Sequence, residues 1–70
     1  MQEHHHDHHD IPMDALLAHM AEHNESHAKE LEHLAHHAEG AVSEQLLKAV
    51  ATLRQGNEEL KKALAMVKEG

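Results

Sequence analysis

Histidine is the residue type in this chain with the clearest capacity for chemistry. The 70-residue sequence contains eleven histidines, and all of them precede residue 38. Neutral imidazole is the commonest protein ligand for borderline transition metals such as nickel, cobalt, copper and zinc. The sequence therefore predicts a protein that binds a divalent transition metal ion.

Five of the histidines crowd into the first ten residues, together with Asp7 and Asp10. Residues 1–10 contain one apolar side chain, Met1, so the segment has nothing to bury and we predict a tail that is disordered without metal. Because Asp7 interrupts the run, the pattern favours a native metal-binding segment over a purification tag. The predicted tail ligands are His4, His5, His6, His8 and His9.

A second group of histidines follows at helical spacing. Residues four apart on a helix have Cβ atoms about 5–6 Å apart, so two imidazoles at that spacing can hold one ion. The predicted ligands of this group are His19, His23, His27 and Glu30. For His27 we weigh equally a buried, hydrogen-bonded position between two helices. For His19, His33, His36 and His37, each taken singly, solvent exposure is the simpler interpretation.

Motifs of metalloenzymes are matched only in part. Glu30 and His33 have the Glu-x-x-His spacing of di-iron bundles, but no inward-facing glutamate is expected on the second helix. His23 and His27 have the spacing of a zinc hydrolase, whereas Glu25 stands two positions after the first histidine and faces outward. Cysteine is absent, which removes thiolate chemistry. We therefore expect a protein that is not an enzyme.

Charge is distributed unevenly between the two halves of the chain. Residues 1–39 carry nine acids and one base (−8), and residues 40–70 carry four acids and five bases (+1), which together give the net charge of −7. The acidic half contains the histidines and attracts cations, while the scarcity of clustered bases argues against nucleic acid. No apolar run approaches the ~20 residues of a membrane span, and no signal-peptide pattern opens the chain. We therefore expect a cytoplasmic protein that does not enter a membrane, although a trimmed periplasmic protein would have the same sequence features.

Apolar spacing predicts an all-α fold with helices over residues 12–38 and 42–68. Pro12 indicates the start of the first helix and Gly40 its end. The short connection makes the helices antiparallel neighbours, so residues 11–70 should form a hairpin behind the tail. The predicted stripes are Met13, Leu16, Leu17, Met20, Leu31, Leu34, Ala35 and Ala38 on the first helix, and Leu46, Val50, Leu53, Leu60, Leu64 and Val67 on the second.

The register of this hairpin follows from the turn. If Ala38 faces Val42, the numbers of facing residues add to about 80, and Leu34 faces Leu46. One polar layer then interrupts the seam, and such a layer commonly fixes the register of paired helices. Its predicted members are Asn24 and His27 on the first helix and Gly56 and Asn57 on the second. Because a helical glycine costs about 1 kcal/mol relative to alanine, we expect a close backbone approach or a kink at Gly56.

A single hairpin of this composition has a small core. Aromatic residues and cysteine are absent, and chains of this size usually need a metal or a partner for stability. We therefore expect two copies to form a homodimeric four-helix bundle, because several apolar residues would otherwise face water. These residues are Leu16, Leu47, Ala49, Ala63 and Met66.

Two segments of the chain resemble a group of small bacterial histidine-rich helical proteins. The two segments of this chain are His23-Asn24-x-x-His27-x-x-Glu30-Leu31 and Gly56-Asn57-x-x-Leu60. The resemblance covers most of the chain, marks His23, Asn24, His27 and Asn57 as the shared feature, and implies the handling of nickel or cobalt. The short tail speaks against high-capacity storage.

Together these features predict binding of Ni²⁺ or Co²⁺, with Zn²⁺ or Cu²⁺ as further candidates, for delivery to a client protein or for sequestration. The alternative is a structural or interaction hairpin whose histidines make it responsive to pH.

Overall fold

The structure, a computed structural model, describes residues 12–70 and consists there of two helices. α1 spans Met13–His37 and α2 spans Gly40–Glu69. Contacts such as Ala35 with Ser43 and Ala21 with Asn57 run in opposite senses along the chain, so the helices are antiparallel. This confirms the predicted all-α hairpin, with helix ends within two residues of the expected positions. The predicted tail over residues 1–10, with its five histidines, lies outside the described residues.

The turn between the helices is closed by backbone and side-chain hydrogen bonds. The Ala38 N–H donates to the carbonyls of Leu34 and Ala35, at 3.0 and 3.3 Å. The Ser43 hydroxyl on α2 also donates to the Ala35 carbonyl, at 2.8 Å, and so gives this acceptor in the last turn of α1 a shorter second hydrogen bond. Gly40 has φ +59°, in the left-handed region that favours glycine, and it begins α2; α1 ends at His37 with Ala38 as its C-cap, so Gly40 does not cap α1 as predicted.

A row of alanines forms the centre of the helix interface. Ala21, Ala28 and Ala35 recur at seven-residue intervals and are buried, as is Val50 on α2. Since the spacing of packed helices depends on the side chains at the contact, an alanine row lets α1 lie close to α2. Half-buried leucines border this row on both helices, and they are Leu17, Leu31, Leu46, Leu53, Leu60 and Leu64.

The orientation of α1 about its own axis differs from the one predicted. Leu34 is 54% exposed, so its predicted place in the seam opposite Leu46 is wrong. The alanine row faces α2 instead, and the larger side chains of Met20 and Leu34 stand at the flank. The physical reason is that alanines at heptad spacing permit a closer contact than methionine and leucine would.

Asn57 and Asn24 form the polar layer between the helices. The buried Asn57 amide donates to the Ala21 carbonyl at 2.9 Å, and the Asn24 amide donates to Asn57 Oδ1 at 3.2 Å. The predicted pairing of Asn24 with Asn57, and with it the register, is confirmed. The other two predicted members lie elsewhere. His27 is exposed, and a Cβ built on Gly56 would meet nothing within 4 Å, so the hairpin makes no close approach there.

The two open sides of the hairpin differ in chemistry. On one side the Arg54 guanidinium binds Glu25 at 3.0 Å and Glu32 at 3.3 Å. Hydrogen bonds to these two carboxylates raise the pKa of Arg54 above its usual value, so the guanidinium stays protonated and positively charged. The other side carries an open apolar groove, whose lining includes Met20, Leu53, Gly56 and Leu60. Neither of the two described helices has the length and apolar character needed to cross a bilayer.

Candidate metal centre

His23 and His27 form a close pair on the exposed flank of α1. Their Nε2 atoms lie 2.9 Å apart, with the rings perpendicular and their centroids separated by 4.4 Å. With metal–nitrogen bonds of about 2.0–2.1 Å, two adjacent imidazole ligands place their nitrogens about 2.9–3.4 Å apart. The separation of the two nitrogens therefore fits both an N–H···N hydrogen bond and the chelation of one ion.

Glu30 lies behind this pair. Its Oε1 atom is 3.2 Å from Nδ1 of His27. An ionised carboxylate can only accept, so Nδ1–H of His27 donates to it, and neutral His27 keeps an unprotonated Nε2 that accepts from Nε2–H of His23. Carboxylates placed in this way orient many metal-ligating histidines. The geometry places Glu30 where it can orient the His27 ring, and its predicted role as a direct ligand stays a prediction.

His19 stands apart from the pair. Its ring stacks near that of His23, with centroids 6.0 Å apart, and both rings border a shallow groove with Glu22 and Ser26. Among residues 12–70, no three His, Asp or Glu side chains converge closely enough to hold a metal ion together. Of the four helical ligands predicted, His23 and His27 bring two ring nitrogens together, Glu30 lies against the other nitrogen of His27, and His19 stands apart.

The buried interpretation of His27 is wrong. Its side chain is 53% exposed, and the neighbouring Ala28 occupies the interface instead. Adjacent helical residues point about 100° apart, so the rotation of α1 that buries Ala28 turns His27 toward water. The interpretation of His27 as a metal ligand stays a prediction, and its exposure leaves it accessible to an ion.

The structure also shows a second histidine pair, which the sequence analysis treated as separate exposed residues. The rings of His33 and His37 have centroids 4.5 Å apart, and Nδ1–H of His37 donates to the backbone carbonyl of His33 at 3.0 Å. The signal for this pair was present in the sequence as four-residue spacing, the same as that of His23 and His27.

The fold and these side chains define a class of small helical hairpin that presents paired imidazoles on the exposed flank of its first helix. The chain belongs to DUF8180, a family described as a domain of unknown function, whose profile matches residues 13–67. That match takes in all of α1 and nearly all of α2. No curated protein and no solved structure matches the chain.

Proposed function

We propose that this protein binds a divalent transition metal ion without catalysis and delivers it to a client protein or sequesters it in the cytoplasm. The observation that carries the proposal is the 2.9 Å approach of the Nε2 atoms of His23 and His27. Glu30 supports it by holding the tautomer of His27 whose Nε2 is unprotonated, so that an ion can replace the proton that His23 shares with this nitrogen.

The preference for Ni²⁺ or Co²⁺ is part of the proposal. Imidazole suits nickel, copper and zinc alike, so the ligand type alone does not select among them. The preference is supported by the resemblance of the His23–Glu30 segment and of Gly56-Asn57 to small bacterial histidine-rich proteins. Zn²⁺ and Cu²⁺ are the competing ions in any test.

An exposed site with two helical ligands suits transfer better than permanent storage. Structural zinc sites are closed by four protein ligands, whereas sites with an open position accept incoming groups. Here the remaining positions are open to water, to imidazoles of the tail over residues 1–10, or to ligands of a client. The net charge of −8 over residues 1–39 attracts a cation both to the tail and to α1.

We also propose that a second copy of the chain covers the apolar side of the hairpin and completes a four-helix bundle. Met20, 51% exposed, lines the groove on that side, and Leu16, 44% exposed, precedes it by one helical turn on α1. Gly56 lines the groove as well, and nothing in its own hairpin approaches it. A helical glycine is costly, and the close approach of a partner helix accounts for its presence.

Metal titration tests the proposed function. Calorimetry with Ni²⁺, Co²⁺, Zn²⁺ and Cu²⁺ should be run on the full chain, on a full-length variant with the five tail histidines replaced by glutamine, and on His23→Ala. Replacing the tail histidines should remove at least half of the bound Ni²⁺ and leave helicity intact. His23→Ala should weaken the helical site by at least about tenfold, because the second imidazole acts at high effective concentration.

His36→Ala is the matched control for His23→Ala, since it removes one exposed imidazole from the same helix. A full chain that binds Ni²⁺ no more tightly than a synthetic peptide of residues 1–10 would overturn the proposal. In that case a structural hairpin whose histidines respond to pH becomes the better account. Affinity should also fall as the pH is lowered, since the ligands must be unprotonated to bind metal.

A further inference from the structure

We infer that α1 carries a second metal site, formed by His33 and His37 near its C-terminal end. Their ring centroids lie 4.5 Å apart, against 4.4 Å for His23 and His27, and both pairs have the four-residue helical spacing at which two imidazoles can reach one ion. The inference deepens the proposed function and rests on it for the class of ion, a divalent transition metal.

The hydrogen bond of His37 prepares its ring for metal binding. A backbone carbonyl can only accept, so Nδ1–H of His37 donates to the His33 carbonyl, 3.0 Å away. Neutral His37 therefore has its lone pair on Nε2, which is the nitrogen left to face an ion. A bond from Nδ1–H to a carbonyl is a common way of setting which nitrogen of a histidine is metallated.

The electrostatic surroundings also favour a cation at this end of α1. His37 is the last residue of the helix, where the macrodipole carries partial negative charge. Residues 30–47 contain Glu30, Glu32, Glu39 and Glu44 and no lysine or arginine. Lys29, one turn before His33, is the opposing charge, and it lines a shallow depression beside His33 together with Glu30.

The two pairs are separate sites rather than parts of one site. His33 follows His23 by ten residues, which at 1.5 Å per residue places the pairs about 15 Å apart along the helix. One ion cannot bridge that distance with bonds of about 2 Å. Each pair supplies two ligands, so α1 is expected to hold two ions, each with open positions filled by water or by other groups.

This inference can be tested by NMR of the imidazole rings, with Zn²⁺ as the diamagnetic probe. The protein used is the full-length variant in which glutamine replaces the five tail histidines. Without the tail histidines, the histidines of α1 are the main Zn²⁺ ligands that remain. The ring signals of His23, His27, His33 and His37 should all respond, and calorimetry should count two Zn²⁺ per chain. In the same background His37→Ala should lower the count to one and abolish the response of His33, and His36→Ala is the matched control.

The two proposals fail in different ways. If His33 and His37 respond no more than His36 while His23 and His27 do respond, the second site is overturned and the proposed function stands. If neither pair responds, both are overturned. In a His23→Ala variant the signals of His33 and His37 should still respond to Zn²⁺, because the second site needs no ligand from the first.

Discussion

Among residues 12–70, Asn57 is the one polar side chain that the fold buries, at 3% exposure. It donates to the Ala21 carbonyl and accepts from Asn24, so both ends of its amide have partners. Buried amides are tolerated in a helical seam when they are paired in this way, and they then oppose shifts of register. The exposed histidines have no such buried partners, which agrees with the proposal that they bind an ion.

Asn57→Ala is predicted to lower the free energy of unfolding by about 1–3 kcal/mol, since it removes a buried hydrogen bond and leaves a gap beside Ala21. Asn24→Ala is the matched comparison and should cost less, because Asn24 is half-buried and water can replace its contact. Urea unfolding of the three proteins measures the difference. An Asn57→Ala protein as stable as the parent would show that the polar layer does not hold the helices together.

At the scale of elements, alanine substitutions at two glycines of α2 are expected to have opposite effects on stability. Gly40→Ala should destabilise the hairpin by about 1–2 kcal/mol, since φ +59° is unfavourable for a residue with a Cβ. Gly56→Ala should stabilise the single hairpin by about 0.5–1 kcal/mol, because a Cβ there meets nothing within 4 Å and alanine is the better helix former. Thermal unfolding at low protein concentration, where the chain is monomeric, compares the two. Equal effects of the same sign would contradict this account of the turn and of α2.

α1 shows how far the apolar pattern of a sequence predicts which side chains of a helix are buried. The apolar pattern predicts Leu17, Leu31, Met20 and Leu34 on the inner face, and there Leu17 and Leu31 are half-buried whereas Met20 and Leu34 are exposed. Hydropathy ranks a leucine above an alanine for burial. Helix packing follows shape as well as hydropathy, and an alanine row permits an approach that a row of larger side chains prevents.

At the scale of the whole molecule, the proposed dimer is the feature to test. Sedimentation at high micromolar concentration should give about 16 kDa, twice the 7.9 kDa of one chain. Met20→Glu should shift this to a monomer, because it places a charge in the apolar groove. Ala51→Glu is the matched control, since Ala51 is exposed and does not line that groove. A parent chain that stays monomeric at millimolar concentration would refute the dimer.

The sequence by itself determined that the chain forms two antiparallel helices, where they end, and that Asn24 meets Asn57. These features follow from apolar periodicity, from Pro12 and Gly40, and from counting outward from a short turn, all of which are local in the chain. The candidate residues of the metal centre were also visible, because imidazoles four apart on a helix are neighbours in any fold.

Only the tertiary structure decided which way α1 faces. Ala28 and His27 are adjacent in the sequence, and a rotation of less than a third of a turn exchanges one for the other at the interface. That rotation is decided by how closely α2 can approach, which depends on side chains from both helices at once. The same packing turned His23 and His27 outward, placed Glu30 behind His27, and left Gly56 in an open groove.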